Sequence, residues 1–229
     1  MILGMKICVS VGAGTYTLLK KKVDAAIRLG AELVELRLDY LRTHDAEKLR
    51  DVIHGIEGMC ILTLRSSKEG GRFRGGEAKR IQLLYHLIDL KPAYIDIELE
   101  TVEREKKLTE VLAETTLIVS KHSFTNTPNQ STLSRWVKEV LSYGGVGKVV
   151  TTARRFEDNL RVIEVLKQAP KGRLIAFCMG DLGLVSRVLA PMLGSPIVYT
   201  CLKEATASGQ IELSEAVRLY RVLGYEDRL

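Results

Sequence analysis

The sequence GGVGKVVTTA, residues 144–153, places a single lysine inside an otherwise apolar run. A short apolar run of this kind is typical of a buried strand in a parallel sheet. Lys148 is unusual there, because burying an ammonium is costly unless the site uses it. Burial favours the neutral amine, which is the form that adds to a carbonyl to give a Schiff base. Alternatively, Lys148 lies at a strand end and extends its ammonium to water.

Seven further apolar runs accompany this one, and segments with helical spacing separate them. An α/β fold of the closed (β/α)8 type, a TIM barrel, requires eight strands that alternate with helices, and the eight runs match this number. No proline- or serine-rich linker divides the chain, so we expect a single catalytic domain over residues 1–229. The predicted strands cover residues 6–11, 32–38, 59–64, 93–99, 115–121, 146–151, 173–179 and 196–201. The predicted helices cover residues 19–27, 45–55, 81–88, 157–168, 183–193 and 213–223, with another that begins near Ser131.

Two of the runs alternate between apolar and charged residues. In residues 34–39, VELRLD, the charged side chains share one face, and residues 95–100, IDIELE, repeat this division. Helices cover the outside of a barrel, so the charged face must point inward, where charges have to be paired. We therefore expect a polar cluster inside the barrel near its C-terminal mouth, where barrel enzymes hold their active sites. The alternative is an edge strand of an open sheet that shows this face to water.

Composition places the chain among ordinary globular proteins. The residues are 46% hydrophobic and 27% charged, and the net charge of +6 suits an anionic small molecule as well as nucleic acid. The four cysteines lie far apart in apolar segments without a C-x-x-C pair, which is typical of a reducing compartment. The N-terminus shows no secretory signal, and no apolar stretch approaches the length of a membrane span. We expect a cytoplasmic protein that does not contact membranes.

One histidine of the four, His122, directly follows a predicted strand, the fifth. This places it at the C-terminal face of the barrel, and an imidazole there titrates near neutrality and can transfer protons. Lys148 lies on the next strand, so His122 is a candidate acid and base for a Schiff base on that lysine. The alternative is a structural histidine at a strand end.

Two polar loops leave the same face of the predicted barrel. Residues 63–76, TLRSSKEGGRFRGG, combine glycines with arginines, as in a mobile lid that closes over a carboxylate, although a nucleic-acid contact has the same composition. Residues 204–210, EATASGQ, offer hydroxyls and an amide to a polyhydroxylated ligand, or form an ordinary connection. The sequence contains no H-E-x-x-H, P-loop or G-x-G-x-x-G motif, so metal, nucleotide and dinucleotide chemistry lack support.

The sequence resembles the type I 3-dehydroquinate dehydratases, Schiff-base lyases of the shikimate pathway, over nearly its whole length. Several separate motifs in the same order carry the resemblance. They are ELRLD (35–39), TLRSSKEGG (63–71), SKHSF (120–124) with TP (127–128), Lys148, MG (179–180), SR (186–187) and ASGQ (207–210). The resemblance implies a TIM barrel that dehydrates 3-dehydroquinate during aromatic amino acid biosynthesis. It also implies a homodimer, no metal or organic cofactor, and no nucleic-acid partner.

The resemblance also implies roles for residues of this chain. Lys148 is expected to form the imine with the C3 carbonyl, and His122 to remove a C2 proton and then protonate the departing C1 hydroxyl. Glu35 is expected to orient or polarise His122, and Arg187 to bind the substrate carboxylate. Other residues are expected to hold the ring hydroxyls, and Glu69 is expected to belong to the lid loop. The full set of expected substrate-binding residues is Ser10, Glu35, Arg37, Arg65, Glu69, Arg187, Thr206 and Gln210.

The chain departs from the family pattern at three positions. Ser123 stands after the histidine where an aspartate is expected, so a carboxylate beside the imidazole is missing from that position. Thr206 stands in place of a serine, and Met179 has no second methionine nearby. The threonine keeps the hydroxyl and adds a methyl group, whereas the change near Met179 concerns packing around the imine.

Two other functions fit parts of the sequence. A Schiff-base aldolase would also place a lysine on the sixth strand, with a phosphate site near Gly180 and Gly183. A nucleic-acid-binding module would use the segment RFRGG, residues 72–76, and the positive charge. Arg187 and the loop at 207–210 suit a carboxylate and hydroxyls better than a phosphate, and no basic stripe or aromatic series accompanies RFRGG.

Overall fold

Parallel strands form the centre of the molecule in the computed structural model, which describes residues 4–204 and 206–224. They are β1 (Lys6–Gly12), β2 (Leu33–Arg37), β3 (Cys60–Thr63), β4 (Tyr94–Glu98), β5 (Thr116–His122), β6 (Val146–Thr152), β7 (Leu174–Met179), β8 (Ile197–Cys201) and β9 (Ile211–Glu212). Their hydrogen-bonded order is β7-β6-β5-β4-β3-β2-β1-β8-β9, and each neighbouring pair is parallel. The first eight strands lie where the sequence predicts them.

Helices follow the strands and cover the outside of the sheet. They are α1 (Tyr16–Arg28), α2 (Ala46–Ile53), α3 (Glu77–Ile88), α4 (Leu99–Arg104), α5 (Lys107–Glu110), α6 (Gln130–Leu141), α7 (Glu157–Gln168), α8 (Leu184–Leu189) and α9 (Leu213–Val222). Side-chain caps fix some of their starts: Asp45 accepts the backbone N–H of Glu47 at α2, and Asn129 accepts that of Thr132 at α6. Within the described part of the chain, every helix is too short or too polar to cross a bilayer.

One apolar or aromatic side chain from each of strands β1 to β8 packs into a single cluster, which we call the lower layer. Its members are Cys8, Leu33, Ile61, Tyr94, Ile118, Val146, Ile175 and Ile197. Strands β7 and β8 share no hydrogen-bonded register, yet both contribute to this cluster, and the rings of Phe177 and Tyr199 lie 6.3 Å apart between them. Side-chain packing therefore brings the two ends of the eight-strand order together, and the predicted (β/α)8 barrel is confirmed.

The next residues on the same face, two positions further along each strand, form what we call the middle layer. This layer is polar on β1 to β6 and aromatic on β7 and β8. Its members are Ser10, Glu35, Thr63, Asp96, Ser120, Lys148, Phe177 and Tyr199. All of them are buried. The polar cluster expected inside the barrel is therefore present, and the edge-strand alternative is wrong.

Parts of the chain differ from the predicted elements. No helix was predicted between β4 and β5, but α4 begins at Leu99, directly after the strand, and α5 follows it. Glu100, expected on the inner face of the strand, therefore lies on α4, where it pairs with Lys68 at 3.1 Å. The helix predicted over residues 183–193 is divided, because Pro191 cannot donate the hydrogen bond that would continue α8 and instead begins a 3-10 turn.

Candidate active site

A cavity of about 570 Å³ lies at the C-terminal ends of the strands, the face where barrel enzymes hold their active sites. Its volume suits a small organic ligand. Among the predicted site residues, those that line it are Glu35, Arg37, Arg65, Glu69, His122, Lys148, Arg187, Thr206 and Gln210. Ser10 is not part of the lining. Its hydroxyl donates to Glu35 and accepts a hydrogen bond from Thr206, so it supports two residues that line the cavity.

Lys148 occupies the middle layer and is only 4% exposed. Its Nζ donates to Asp96 Oδ2 at 2.8 Å and lies 3.6 Å from Glu35 Oε1. The alternative that Lys148 lies at a strand end and extends its ammonium to water is therefore wrong. Two carboxylates compensate the charge of the ammonium in the closed barrel, as expected for charges on its inner face.

Asp96 connects the lysine to a second buried cation. Arg65 Nη2 lies 2.7 Å from Asp96 Oδ1, and Ser120 donates to the same oxygen at 2.6 Å. Burial alone would raise the pKa of Asp96, but Arg65 and Lys148 hold it well below its usual range. Asp96 was missing from the predicted site residues, although the alternation in residues 95–100 placed it on the inner face.

His122 is the last residue of β5, and its Nδ1 lies 2.8 Å from Glu69 Oε2. The same carboxylate oxygen accepts the backbone N–H of His122 at 3.1 Å. Two contacts therefore fix the imidazole and direct Nε2 away from Glu69. A carboxylate does accompany the histidine, but it comes from the loop after β3, whereas the Ser123 hydroxyl points to Asn126 at 3.2 Å.

Burial sets the protonation of this pair. It raises the pKa of Glu69 to about 7, a rise that Arg65 limits by attraction. Burial and the positive charge of Arg65 lower the pKa of His122 well below its usual value. Because the two groups are in contact, they titrate as one unit that can hold a proton near neutral pH. A neutral imidazole at this position can accept a proton from a ligand.

Glu35 does not contact His122, contrary to the expectation from the resemblance. It accepts hydrogen bonds from Ser10 and from Thr63 Oγ1, the latter at 3.0 Å, and faces Lys148. All of these residues belong to the middle layer, one level below the histidine. Glu35 therefore acts on the charge of the lysine, and Glu69 holds the position beside the imidazole.

A buried ion-pair network supports the start of the lid loop. Glu98 Oε1 accepts the backbone N–H of Ser66 at 2.8 Å and lies 3.3 Å from Arg65 Nη1. Its other oxygen accepts from Arg80 Nη1 at 2.7 Å, and the same nitrogen donates to the carbonyl of Leu64. Arg80 is 1% exposed although it lies on α3. Glu77 on the same helix also pairs with Arg80 at 2.8 Å, but the contacts with Glu98 and Leu64 come from tertiary packing, which residue periodicity does not predict.

The lid loop is held by backbone geometry as well as by side chains. Gly70 has a φ of 74°, which favours glycine, and a Cβ at this position would overlap the ring of Phe124. The Phe124 ring stacks beside His122 with centroids 6.1 Å apart. Further along, the backbone N–H of Arg72 donates to Asp39 at 2.9 Å. The turn that carries Glu69 is therefore fixed over the mouth of the barrel.

Arg187 is 3% exposed and lines the cavity. Its guanidinium lies 4.2 Å from the ring centroid of Phe177, and one nitrogen reaches the carbonyl of Ser208 at 3.4 Å. Among residues 4–204 and 206–224, no carboxylate lies within ion-pair distance of it. Burial lowers the pKa of Arg187 to about 10, so it remains charged at neutral pH. An anion in the cavity would supply the missing partner.

The loop after β8 folds onto itself through Gln210. Its Oε1 accepts the backbone N–H groups of Thr206 and Ala207 at 2.7 and 3.0 Å and lies 3.2 Å from the Thr206 hydroxyl oxygen. Ala205 lies outside the described residues. The loop therefore presents the Gln210 side chain and the Thr206 hydroxyl at the cavity wall.

The described residues contain no group of three metal-ligating side chains that could hold a metal ion. The RFRGG segment also differs from an exposed nucleic-acid contact. Phe73 is 7% exposed and packs against His44 with ring centroids 5.2 Å apart, and Arg72 lies over the ring of Tyr40. Its aromatic ring is therefore covered by the protein, and one of its two arginines is held against the barrel.

The chain is similar to known proteins in both sequence and structure. Residues 7–227 match the family model described as Type I 3-dehydroquinase. A 3-dehydroquinate dehydratase of Dehalococcoides mccartyi is 36% identical over 201 residues, which cover 86% of this chain and 89% of that protein. The structure of the 3-dehydroquinate dehydratase from Aquifex aeolicus has a TM-score of 0.83 and 32% identity, covering 97% of this chain and 100% of the other.

A third comparison supports the fold. The crystal structure of 3-dehydroquinate dehydratase from Geobacillus kaustophilus has a TM-score of 0.89 with 24% identity, and covers 98% of this chain and 93% of that chain. The family match extends over nearly all of the sequence and includes every strand that contributes a residue to the cavity. The chain therefore belongs to the type I 3-dehydroquinase family and is a lyase.

Proposed function

We propose that this lyase converts 3-dehydroquinate to 3-dehydroshikimate in the shikimate pathway through an imine on Lys148, with His122 as acid and base. One arrangement carries the proposal: a single cavity holds a buried lysine, an imidazole paired with a carboxylate, and a buried arginine that has no carboxylate partner in the described part of the chain. A hydroxylated keto acid uses all three groups. Its ketone reacts with the lysine, its carboxylate pairs with Arg187, and its labile proton passes to the histidine.

Imine formation conserves charge at the lysine nitrogen. In the free enzyme Asp96 and Glu35 compensate the Lys148 ammonium. When the nitrogen adds to the C3 carbonyl carbon, a C–N bond forms, and the carbonyl oxygen receives the two protons that the nitrogen releases and leaves as water. Ammonium and ketone thus give iminium and water without net proton exchange. The iminium withdraws electrons from C2 and makes its proton acidic, which divides a difficult elimination into easier steps.

His122 then acts twice. Its neutral imidazole removes the C2 proton, and the electron pair of the C–H bond forms an enamine. This pair next expels the C1 hydroxyl, which takes the proton back from His122 and leaves as water. Addition of water to the conjugated iminium releases the product and restores Lys148. The contact of Glu69 with Nδ1 supports this assignment, because it keeps Nε2 available to the substrate.

The remaining groups of the cavity wall bind the substrate in this proposal. Arg187 takes the carboxylate, since it lacks a protein partner among the described residues. Arg37, Thr206 and Gln210 line the cavity and hold ring hydroxyls. Arg65 lies beneath them in the network with Asp96 and contributes positive charge near the reacting carbon.

Reductive trapping tests the proposal. Borohydride added with 3-dehydroquinate should attach one substrate to Lys148, visible as a mass increase of the intact chain and localised by peptide mapping. A Lys148→Ala variant is the control and should show no increase. His122→Ala should still form the reducible adduct but lose turnover. An unlabelled wild-type chain, or a label on another lysine, would disprove the Schiff-base assignment.

The aldolase alternative has less support. A phosphate site needs free backbone N–H groups, but the N–H of Gly183 donates to the carbonyl of Gly180, and that of Gly180 points to Ser208 at 3.4 Å. A Cβ at Gly183 would also overlap the carbonyl of Cys178, so this turn is packed against β7. Trapping with a phosphorylated aldehyde in place of 3-dehydroquinate distinguishes the two reactions.

We further propose that the chain acts in the cytoplasm as a homodimer, with residues 1–229 forming one catalytic domain. Apolar side chains remain exposed around α8 and α9: Leu182 is 51% exposed, Leu184 45% and Val222 86%. A second copy would cover part of this surface. Light scattering at micromolar concentration should give twice the chain mass, and a monomer mass would contradict the dimer.

A further inference from the structure

The ring of Tyr199 faces the reactive nitrogen of the site. Lys148 Nζ lies 4.1 Å from the ring centroid, well within the range of about 6 Å over which an aromatic face attracts a cation. Tyr199 belongs to the middle layer, is 4% exposed and lines the cavity. Its ring therefore meets the lysine inside the barrel, away from water.

The hydroxyl of Tyr199, unlike its ring, has no polar or charged partner among the described residues. Its Oη is buried and has no hydrogen-bond partner among the described residues. Burial, assisted by the negative charge of Glu35, raises the pKa of Tyr199 well above its usual value, so the phenol keeps its proton. Tyr199 consequently offers Lys148 the face of a neutral ring.

We propose that Tyr199 is a further catalytic residue, whose ring face stabilises the positive charge of the iminium formed on Lys148. This inference rests on the proposed function. The free ammonium carries three N–H bonds and reaches Asp96 at 2.8 Å, with Glu35 at 3.6 Å. The iminium nitrogen keeps one N–H, so its hydrogen bonding to the two carboxylates decreases when the bond to C3 forms. An aromatic face requires no N–H, so its attraction for the positive charge persists while the hydrogen bonds to the carboxylates decrease.

The position of the ring is fixed by its neighbours. Tyr199 is paired in register with Cys8 on β1, and its ring packs against Phe177 with centroids 6.3 Å apart. Phe177 in turn lies beneath Arg187 at 4.2 Å. The two aromatic rings of the middle layer therefore each contact a cationic side chain that the proposed mechanism uses, Lys148 or Arg187. Unlike a carboxylate, a ring at either position stabilises charge without accepting a proton from the reacting groups.

Fluorinated phenylalanines at position 199 test the role of the ring face. Each added fluorine withdraws electron density from the ring while changing its size little, so the attraction for a cation falls stepwise. Tyr199→Phe is the reference, and variants with one, two and three ring fluorines form the series. The readouts are kcat with 3-dehydroquinate and the fraction of chains carrying the substrate after a timed borohydride quench. We expect both to fall progressively, by about tenfold between phenylalanine and the trifluorinated ring.

The same series at Phe156 is the control, because this side chain is 53% exposed and does not line the cavity. Fluorination there should leave both readouts unchanged, and thermal unfolding of every variant checks folding. Readouts at position 199 that do not change with fluorination, in a protein whose wild-type form is trapped by borohydride, would overturn the role of the ring alone. A wild-type chain that forms no adduct would overturn the proposed function, and this inference with it.

Discussion

Replacing Glu69 with glutamine tests the electrostatics of the proposed acid–base pair. The carboxyl is 7% exposed and contacts His122 through the ring Nδ1 and the backbone N–H. Burial raises its pKa from 4.5 to about 7. This rise of roughly 2.5 corresponds, at 1.36 kcal/mol for each pH unit, to about 3 kcal/mol of free energy.

The direction of the effect on stability follows from proton binding. Between pH 4.5 and about 7 the folded chain keeps the Glu69 proton while the unfolded chain loses it. The free energy of unfolding therefore falls as the pH rises through this window, and the contribution that is complete below pH 4.5 is lost above about 7. Glutamine does not titrate, so the variant lacks this loss. Relative to wild type, the glutamine variant should gain about 3 kcal/mol between pH 4.5 and about 8.

Urea denaturation at a series of pH values measures this difference between the two proteins. Glu114→Gln, at an exposed carboxylate, is the matched control for the substitution itself. We expect the Glu69 variant also to lose about 10²-fold or more in kcat, the range of general acid–base catalysis. Parallel stability curves for wild type and Glu69→Gln would refute the reasoning, because they would show that burial does not raise the pKa of this carboxyl.

Other substitutions test the lid, the anion site and the buried network. Gly70→Ala should raise KM and lower kcat in steady-state assays, because both the φ of 74° and the Phe124 ring oppose a Cβ, and unchanged kinetics would contradict a fixed lid. Arg187→Leu should raise KM by about 10- to 100-fold without lowering the melting temperature, since it removes a buried charge that lacks a carboxylate partner among the described residues. Arg80→Met should cost about 3–5 kcal/mol in denaturant unfolding, and a second change, Glu98→Gln, should restore part of it.

The strands and the inner polar face could be predicted from the sequence because their signals are local. Each apolar run has the length of a strand, and a period of two residues identifies which side chains share a face. Once the runs are placed in a barrel, Glu35, Asp96 and Lys148 must point to one interior. The short α4 was missed because Leu99 continues the apolar run of β4, so no change of period marks the boundary.

The partner of His122 could not be predicted in this way. Glu69 lies in a loop, and its position depends on the turn that begins at Ser66, whose carbonyl accepts the N–H groups of Glu69 and Gly71. No periodicity describes such a turn. The resemblance assigned this place to Glu35, but the level of Glu35 in the barrel is one layer below the histidine. Arg80 was missed for a related reason, because its buried contacts come from tertiary packing of α3.

Charge balance in the barrel connects these observations to the ligand. Lys148 and Arg65 are buried cations, and each has Asp96 within 2.8 Å. Arg37 is paired with Asp39 at 2.8 Å. Arg187 also lines the cavity and is buried like Arg65 and Lys148, but within residues 4–204 and 206–224 it has no carboxylate partner. Its guanidinium lies over the ring of Phe177 instead. A substrate carboxylate would therefore complete the balance, and its binding would place the rest of the molecule between Arg187 and the paired lysine.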